Sequence, residues 1–193
     1  MRLFAAVDIS DDVRERAARA VEILRRAVER SSSARVGWVT PERLHLTLEF
    51  IGEVPESVAA DVVRRLEPPF AGPPFTLRFG SVGLFPPAGR PRVIWFGLDA
   101  GSEEFRQLRA EAVRRLDGVD YRREDRPFSP HLTVGRFREP GRPSDRALFT
   151  GADLPALGSC AVDRLTLYQS RLSPRGPAYT PILQVPLGAA GRS

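Results

Sequence analysis

Residues 127–136 read Pro-Phe-Ser-Pro-His-Leu-Thr-Val-Gly-Arg, and an upstream stretch, residues 41–48, reads Pro-Glu-Arg-Leu-His-Leu-Thr-Leu. The chain contains two histidines, His45 and His131. Each is followed by Leu-Thr and preceded, four residues earlier, by a proline. A tripeptide shared by both histidines of a 193-residue chain indicates two copies of one structural unit.

Each copy alternates polar and apolar residues with the period of two that is typical of a half-buried strand. In the first copy the polar set is His45, Thr47 and Glu49, and the alternating apolar set is Leu44, Leu46, Leu48 and Phe50. In the second copy His131 and Thr133 share one face in the same way. Each strand therefore presents an imidazole and a hydroxyl side by side.

These residue types suit chemistry at phosphorus. Histidine takes or gives a proton near neutral pH, and a threonine hydroxyl can donate a hydrogen bond to a phosphoryl oxygen. If two such strands face each other, one histidine can activate a nucleophile while the other protonates the leaving oxygen. We therefore expect a phosphoryl-transfer site built from both copies.

Two alternatives compete with this interpretation. A single histidine on a strand is more often structural than catalytic, although a repeated tripeptide weakens that explanation. Zinc sites usually need three or four ligands, whereas the chain offers two histidines and one cysteine, Cys160, without a His-x-His or Cys-x-x-Cys pattern. We expect neither a metal site nor a cofactor.

The composition is that of an ordinary globular protein, with 42% hydrophobic and 27% charged residues. No apolar run has membrane-spanning length, the first residues do not resemble a signal peptide, and a single cysteine fits a reducing compartment. We expect a cytoplasmic monomer without membrane contact. The net charge is +5 and every basic side chain except histidine is arginine, which favours an RNA partner but is equally explained by coding composition.

The order strand, helix, motif strand, helix, strand occurs twice, over residues 2–84 and 92–170. Strands are predicted at 2–9, 35–39, both motif copies, 75–84, 92–99, 161–170 and 179–187, the last two joined by a turn at 174–177; helices are predicted at 11–30, 56–66, 102–116 and 144–150, with Ser10 and Ser102 as N-caps. This repetition predicts an α+β fold of two similar lobes that bring the motif strands face to face. We expect a single domain over residues 1–193, with repeats at about 1–90 and 91–188.

With both motifs and the repeat, the chain resembles the 2H phosphoesterases. Within them it is most similar to bacterial and archaeal RNA 2′,3′-cyclic phosphodiesterases, historically called 2′-5′ RNA ligases. The resemblance covers nearly the whole chain and rests on residues 2–8, 45–53, 91–95, 126–136 and 167–170, with Gly176 and Tyr179. It implies a bilobed fold in which two mainly antiparallel sheets and outer helices surround a central cleft, and chemistry that needs neither metal nor ATP.

The resemblance also implies roles. Members of the family open RNA 2′,3′-cyclic phosphates to 2′-phosphates, and some join a 5′-hydroxyl in the reverse direction. His45 would be the general acid toward the 3′-oxygen and His131 the base that activates water, although these two labels are interchangeable. Thr47 and Thr133 would hold the phosphoryl oxygens. The expected substrates are RNA ends with a 2′,3′-cyclic phosphate, such as those of tRNA halves, or small cyclic nucleotides.

Three further residues near the motifs are less clear. Arg136 matches the family pattern as a phosphate or nucleobase contact. It lies five residues after His131, however, and in a regular strand an odd separation places two side chains on opposite faces. We predict a bulge at Gly135 that restores the face; the alternatives are a strand end or a surface arginine paired elsewhere. Phe128 could stack on a terminal base or belong to the core. Glu49 could tune His45 or be solvated, and no role follows from the sequence for Phe4, Trp38 or Tyr168.

Two other functions are compatible with the sequence. A 2′-5′ RNA ligase would use the same residues in the opposite direction, so the sequence does not separate it from a hydrolase. Water outcompetes a second RNA end at ordinary concentrations, which favours hydrolysis. A non-catalytic RNA-binding module is the third candidate, and it would keep its affinity for RNA without either histidine.

Overall fold

A computed structural model of the protein describes residues 1–123, 127–173 and 176–188. Within these ranges the chain forms nine strands and four α-helices. The strands are β1 (Arg2–Asp8), β2 (Val36–Trp38), β3 (His45–Glu53), β4 (Phe75–Phe85), β5 (Val93–Ala100), β6 (Leu132–Phe137), β7 (Ser159–Val162), β8 (Arg164–Arg171) and β9 (Ala178–Pro186). The helices are α1 (Asp11–Ser31), α2 (Glu56–Leu66), α3 (Ser102–Arg115) and α4 (Ala147–Thr150). The predicted turn at 174–177 includes residues 174 and 175, which lie outside the described residues.

Helix α1 begins and packs as its sequence indicates. The Ser10 side chain accepts a hydrogen bond from the backbone N–H of Val13 at 3.4 Å, and Asp11 and Asp12 occupy the first turn, where the helix dipole favours negative charge. The buried residues recur every three or four positions and form one stripe; they are Val13, Ala17, Ala20, Leu24 and Val28. The predicted N-cap and apolar stripe of this helix are confirmed.

Helix α3 begins one residue earlier than its sequence suggests. Its N-cap is Gly101 rather than Ser102, and Gly101 has a left-handed φ of 83°. A Cβ atom at this position would lie 2.4 Å from the carbonyl oxygen of Thr76. The close approach of strand β4 and the positive φ therefore both require glycine, and Ser102 becomes the first helical residue.

The strands form one antiparallel sheet in the order β7-β4-β5-β6-β3-β1-β8-β9, with β2 paired to β6. The predicted α+β class, with antiparallel strands and helices, is confirmed. The two halves, however, are joined where β3 pairs with β6, so the motif strands lie side by side instead of facing each other. Each half also contains a strand from the other predicted repeat, because β8 pairs with β1 and β4 pairs with β5. The division into repeats near residue 90 stays a prediction.

The strand predicted at residues 161–170 is in fact two strands. Strand β7 ends at Val162 and β8 begins at Arg164, with Asp163 between them. β7 pairs with β4 at one edge of the sheet, whereas β8 pairs with β1 near the other edge. Because a single residue connects them, the sheet must curl until its two ends approach each other.

The helices lie outside this curled sheet. Helix α3 packs on β3 and β5, whose inward residues Leu46, Leu48, Ile94 and Phe96 are almost fully buried in the common core. The other face of the sheet carries the motif histidines, His45 on β3 and His131 directly before β6. Among the described residues, no helix is long and apolar enough to cross a membrane.

Candidate active site

The two copies of His-Leu-Thr are neighbours in the sheet. Leu46 of β3 and Leu132 of β6 are partners in an antiparallel pair, and both are fully buried. Because side chains alternate along a strand, the histidine and threonine flanking each leucine point to the opposite face. Each histidine thus lies across from the threonine of the other copy, and the imidazoles lie on a diagonal with Cα atoms about 7–8 Å apart. Four of the six predicted site residues therefore come together: His45, Thr47, His131 and Thr133.

Each imidazole is oriented by a hydrogen bond to the backbone carbonyl group two residues before it. Nδ1 of His45 lies 2.8 Å from the carbonyl oxygen of Arg43, and Nδ1 of His131 lies 2.7 Å from that of Ser129. A carbonyl oxygen only accepts hydrogen bonds, so Nδ1 carries the proton in the neutral ring of each. Nε2 is then the nitrogen that exchanges a proton. In His45 this nitrogen lies 3.1 Å from the hydroxyl oxygen of Thr47.

Aromatic rings enclose the imidazole of His45. The ring centroids of Phe4 and Tyr179 lie 4.9 and 5.4 Å from it. Burial penalises the charged imidazolium and lowers the pKa of His45 below its ordinary value of 6.5. The carbonyl of Arg43 and the carboxylate of Asp8 favour the charged form but do not offset the burial. The neutral ring therefore predominates at neutral pH.

We expect the imidazole of His45 to titrate below pH 6.5 in the folded protein. NMR titration measures this directly, and a His131→Ala variant leaves a single histidine to assign. The pKa of this histidine in the unfolded chain is the ordinary 6.5, so the unfolded chain binds more protons than the folded chain at pH values between the folded pKa and about 6.5. The free energy of unfolding should therefore fall as the pH decreases through this window, by at most about 1.4 kcal/mol per pH unit for one group.

His45→Gln is the control for that titration, since it removes the group and should flatten this part of the pH dependence. A midpoint at or above 6.5, or an unchanged dependence in the variant, would contradict the expected shift.

Asp8 is a site residue that the sequence did not reveal. It is the partner of His45 across β1 and β3. Its carboxylate accepts hydrogen bonds from the hydroxyl groups of Thr166 at 2.9 Å and Tyr168 at 2.6 Å. Burial raises the pKa of Tyr168, and the hydrogen bond to Asp8 adds to the shift, so the phenol stays protonated as a donor. The carboxylate is thereby held beside the first histidine without a hydrogen bond to it in the described structure.

Trp95 lies beside the second histidine. Its ring centroid is 6.1 Å from that of His131, and its ring stacks on Phe85 with centroids 4.8 Å apart. The indole covers Gly83 so closely that a Cβ there would lie 2.3 Å from the ring, which explains the glycine. In the part of the chain that the structure describes, the indole nitrogen Nε1 is buried without a hydrogen-bond partner. A buried donor without a partner is uncommon in folded proteins.

Arg136 lies on the histidine face because β6 contains a bulge. Ile94 pairs with Gly135 and Trp95 pairs with Thr133, so Val134 is an extra residue opposite β5. The extra residue shifts the alternation, and the exposed Arg136 falls on the same face as Thr133. The predicted bulge is confirmed; the role of the arginine stays a prediction.

Phe128 does not join this group, so its predicted stacking on a terminal base is corrected. Its ring stacks on the fully buried Phe105 of α3, with centroids 6.0 Å apart and planes at 5°. The guanidinium carbon of Arg109 lies 4.4 Å from the ring centroid. Phe128 thus packs on the helix side of the sheet, and its ring contacts α3.

Glu49 also lies on the helix side rather than beside His45. It is 3% exposed and forms an ion pair with Arg109 of α3 at 2.7 Å. The hydroxyl of Tyr121 donates a second hydrogen bond to the carboxylate at 3.4 Å. Both sequence-based alternatives for Glu49, tuning of the histidine and solvation, are therefore wrong. The cause is a second bulge, in β3, which reverses the alternation after Leu48.

The described residues include no group of three or more His, Cys, Asp or Glu side chains placed to hold a metal ion. The lone Cys160 is buried, and burial raises the pKa of its thiol.

Comparison with protein-family models finds a match over residues 11–173, described as the 2′-5′ RNA ligase superfamily. Relatives named RNA 2′,3′-cyclic phosphodiesterase include a protein of Archaeoglobus fulgidus, 39% identical over 93% of this chain and 96% of its own length. A relative of the same name from Thermus thermophilus is 36% identical over 93% of this chain and 87% of its own length.

Solved structures with the same fold are also found. TT0787 of Thermus thermophilus superposes with a TM-score of 0.77 at 30% identity, covering 99% of this chain and 100% of that one. Escherichia coli LigT complexed with 3′-AMP superposes with a TM-score of 0.68 at 26% identity, covering 96% and 97%.

Proposed function

This chain belongs to the 2′-5′ RNA ligase superfamily, and we propose that it hydrolyses the terminal 2′,3′-cyclic phosphate of RNA to a 2′-phosphate. The observation that carries the proposal is the pairing of Leu46 with Leu132, which gathers two imidazoles and two hydroxyls on one face of the sheet. The activity named for its relatives supports the same substrate.

In the proposed reaction both histidines act through Nε2. His131 takes a proton from water as the water oxygen attacks phosphorus. The bond between phosphorus and the 3′-oxygen breaks, and His45 gives its proton to that oxygen. The product keeps the phosphate on the 2′-oxygen, and the enzyme ends with the proton moved from one imidazole to the other. The opposite assignment of acid and base balances equally well.

The lowered pKa of His45 has a consequence for this scheme. As the general acid it must enter the reaction protonated, but the free enzyme favours its neutral form. A bound phosphodiester brings a negative charge close to Nε2, and a nearby opposite charge raises the pKa of a histidine. Substrate binding would thus favour uptake from solvent of the proton that His45 then gives to the leaving oxygen.

Three side chains would hold the phosphoryl group. The hydroxyls of Thr47 and Thr133 lie on the histidine face and would donate hydrogen bonds to the two non-bridging oxygens. Thr47 now lies within hydrogen-bond distance of Nε2 of His45, so substrate would exchange that partner for a phosphoryl oxygen. Arg136 is exposed on the same face and would add positive charge or contact a base.

The proposed chemistry uses neither a metal ion nor ATP, because two imidazoles provide the proton transfers and hydroxyl donors bind the anion. From the sequence we further infer a monomer that acts in the cytoplasm on RNA ends, such as those of tRNA halves, or on small cyclic nucleotides.

A second candidate is ligation, which the description of the matching family favours. A 5′-hydroxyl would replace water as the nucleophile and give a 2′-5′ linkage with the same acid and base. Hydrolysis remains our first choice because water is far more concentrated than a second RNA end.

Incubation with a defined oligonucleotide ending in a 2′,3′-cyclic phosphate should yield a 2′-phosphate as the main product. The reaction is run with and without a 5′-hydroxyl RNA, and the products are resolved by chromatography against 2′- and 3′-phosphate standards. Mainly joined RNA in the presence of the partner would favour the ligase instead.

A parallel reaction with EDTA tests the metal-free scheme. Turnover should be unaffected, and a loss of activity that added metal restores would contradict the scheme.

In the product analysis, a 3′-phosphate product would mean that the other ribose oxygen leaves, which the assigned roles do not allow.

A further inference from the structure

Asp8 is a half-buried carboxylate at the end of β1 that is held by neutral groups alone. Its hydrogen-bond donors are the hydroxyls of Thr166, which is fully buried, and Tyr168. Among the described residues no arginine forms an ion pair with it, although the chain has 29 basic side chains; Arg164 on the same strand as the two hydroxyls pairs with Asp163 instead. Withdrawing a charge from water without an opposite charge is unfavourable, and a neutral side chain could accept the same hydrogen bonds. Packing therefore does not explain why this residue is charged.

The position of Asp8 in the sheet directs its charge at one histidine. β3 lies between β1 and β6, and Asp8 is the cross-strand partner of His45. Neighbouring strands are about 4.8 Å apart, so Asp8 lies one strand from His45 and two strands, about 10 Å, from Thr133 on β6. Electrostatic interaction weakens with distance. The carboxylate can therefore favour a positive charge on His45 with a smaller effect on His131 or on an anion bound beside β6.

The carboxylate acts on His45 without a hydrogen bond to it. Nδ1 of the imidazole lies against the carbonyl oxygen of Arg43, and Nε2 lies against the hydroxyl of Thr47. In a Ser-His-Asp site, one aspartate both orients the imidazole and stabilises its protonated form. Here the backbone carbonyl orients the ring, which leaves the electrostatic part to Asp8.

The other titratable and charged groups around His45 do not replace Asp8. Arg14 of α1 lowers the pKa of the imidazole, and its guanidinium donates hydrogen bonds to backbone carbonyls rather than to the aspartate. On β8, the raised pKa of Tyr168 keeps that phenol neutral. Tyr179 of β9 contacts the imidazole edge to face. Asp8 is thus the carboxylate whose charge favours the protonated imidazole in the part of the chain that the structure describes.

Building on the proposed function, we propose that Asp8 is a positioning residue whose charge stabilises the protonated imidazole of His45 during the reaction. Asp8 stays ionised throughout and neither takes nor gives a proton. If His45 is the acid, the charge helps it to hold the proton that it delivers to the leaving oxygen. If the labels are exchanged, the same charge stabilises the imidazolium that forms as water is deprotonated.

Asp8→Asn tests the proposal, because it keeps the shape of the side chain and removes the charge. In a His131→Ala background a single histidine titrates, and NMR should show a lower pKa of His45 with asparagine than with aspartate. With both histidines present, kcat for a cyclic-phosphate oligonucleotide at pH 7 should fall about 10-fold, the effect of one pKa unit. The limb of the pH–rate profile that reports His45 should move to lower pH, and this is the high-pH limb if His45 is the acid.

Three further variants separate charge from packing. Asp8→Ser is also neutral, and it should reproduce the shift even where asparagine disturbs folding. Tyr168→Phe removes a hydrogen bond from the same network but leaves the charge, so it should not lower the pKa of His45. Asp61→Asn removes the same charge from α2, outside the sheet, and should change neither the titration nor the pH–rate profile. Thermal unfolding identifies the variants that are folded.

An unchanged or higher pKa of His45 in the folded neutral variants would overturn the proposal. A fall of equal size in Tyr168→Phe would also overturn it, because packing of the network would then be responsible. So would a lower pKa with an unmoved pH–rate profile. The NMR titration needs no turnover, so a shifted titration in a protein that does not hydrolyse cyclic phosphates would overturn the proposed function and leave the coupling of Asp8 to His45 in place.

Discussion

Replacing His45 or His131 with alanine should lower kcat for a cyclic-phosphate oligonucleotide by about 10²–10⁴-fold, the usual contribution of one general acid or base. Each variant removes one of the two proton transfers of a single displacement. The two losses should therefore not add, and the double variant should be little slower than the slower single variant. Single-turnover rates for the three variants measure this.

Added imidazole provides the control for proton transfer. It can occupy the space left by alanine and should restore part of the lost rate, which a merely structural role would not allow. Thermal unfolding checks that each variant is folded. Activity in the variants equal to that of the intact protein would contradict the assigned proton-transfer roles, whereas intact RNA affinity in a protein that never turns over would support a non-catalytic RNA-binding module.

Local periodicity predicts most of the secondary structure. The helical stripe of α1 and the alternation around each His-Leu-Thr follow from residues within one element, and the structure confirms both. The repeated tripeptide also indicates that the histidines act together. What no local pattern contains is the pairing of Leu46 with Leu132, since it depends on residues 86 positions apart (132 − 46). The sequence alone therefore predicts facing motif strands where the structure has them side by side.

The two bulges show where the strand face of a residue can be predicted from its spacing along the strand and where it cannot. In β6 a glycine follows the extra residue, and Arg136 at the wrong parity makes a bulge the natural prediction. In β3 the extra residue, Leu48, lies among residues that alternate without interruption. Strict alternation therefore puts Glu49 on the histidine face and Phe50 in the core, and the structure reverses both.

The remaining site residues depend on which strands become neighbours. Phe4, Asp8 and Tyr168 belong to β1 and β8, whose pairing joins residues more than 150 positions apart in sequence. Trp95 and Phe85 meet only because β4 and β5 form a pair. No signal in the sequence marks these contacts, although the resemblance to a known family drew attention to several of the same segments.

The identity of the acid can be decided by changing the leaving atom. In a 2′,3′-cyclic phosphorothiolate, sulfur replaces the 3′-oxygen, and a thiolate leaves far more readily than an alkoxide without receiving a proton. If His45 is the acid, His45→Ala should lose less than about 10-fold on this substrate, against about 10²–10⁴-fold on the oxygen substrate. His131→Ala should lose the full factor on both, because water still has to be deprotonated. Steady-state rates for the two variants on the two substrates give the comparison.

The opposite pattern, with His131→Ala recovering on the sulfur substrate, would exchange the two labels and keep the scheme. If the rates of both variants recover on the sulfur substrate, or the rate of neither does, the two imidazoles would not have separate acid and base roles. The lowered pKa of His45 makes the outcome informative, because a largely neutral imidazole is by itself better prepared to accept a proton than to give one. Its assignment as the acid thus requires that bound phosphate raise its pKa, and NMR titration of His45 with a non-cleavable 2′-5′ diester bound should show that rise.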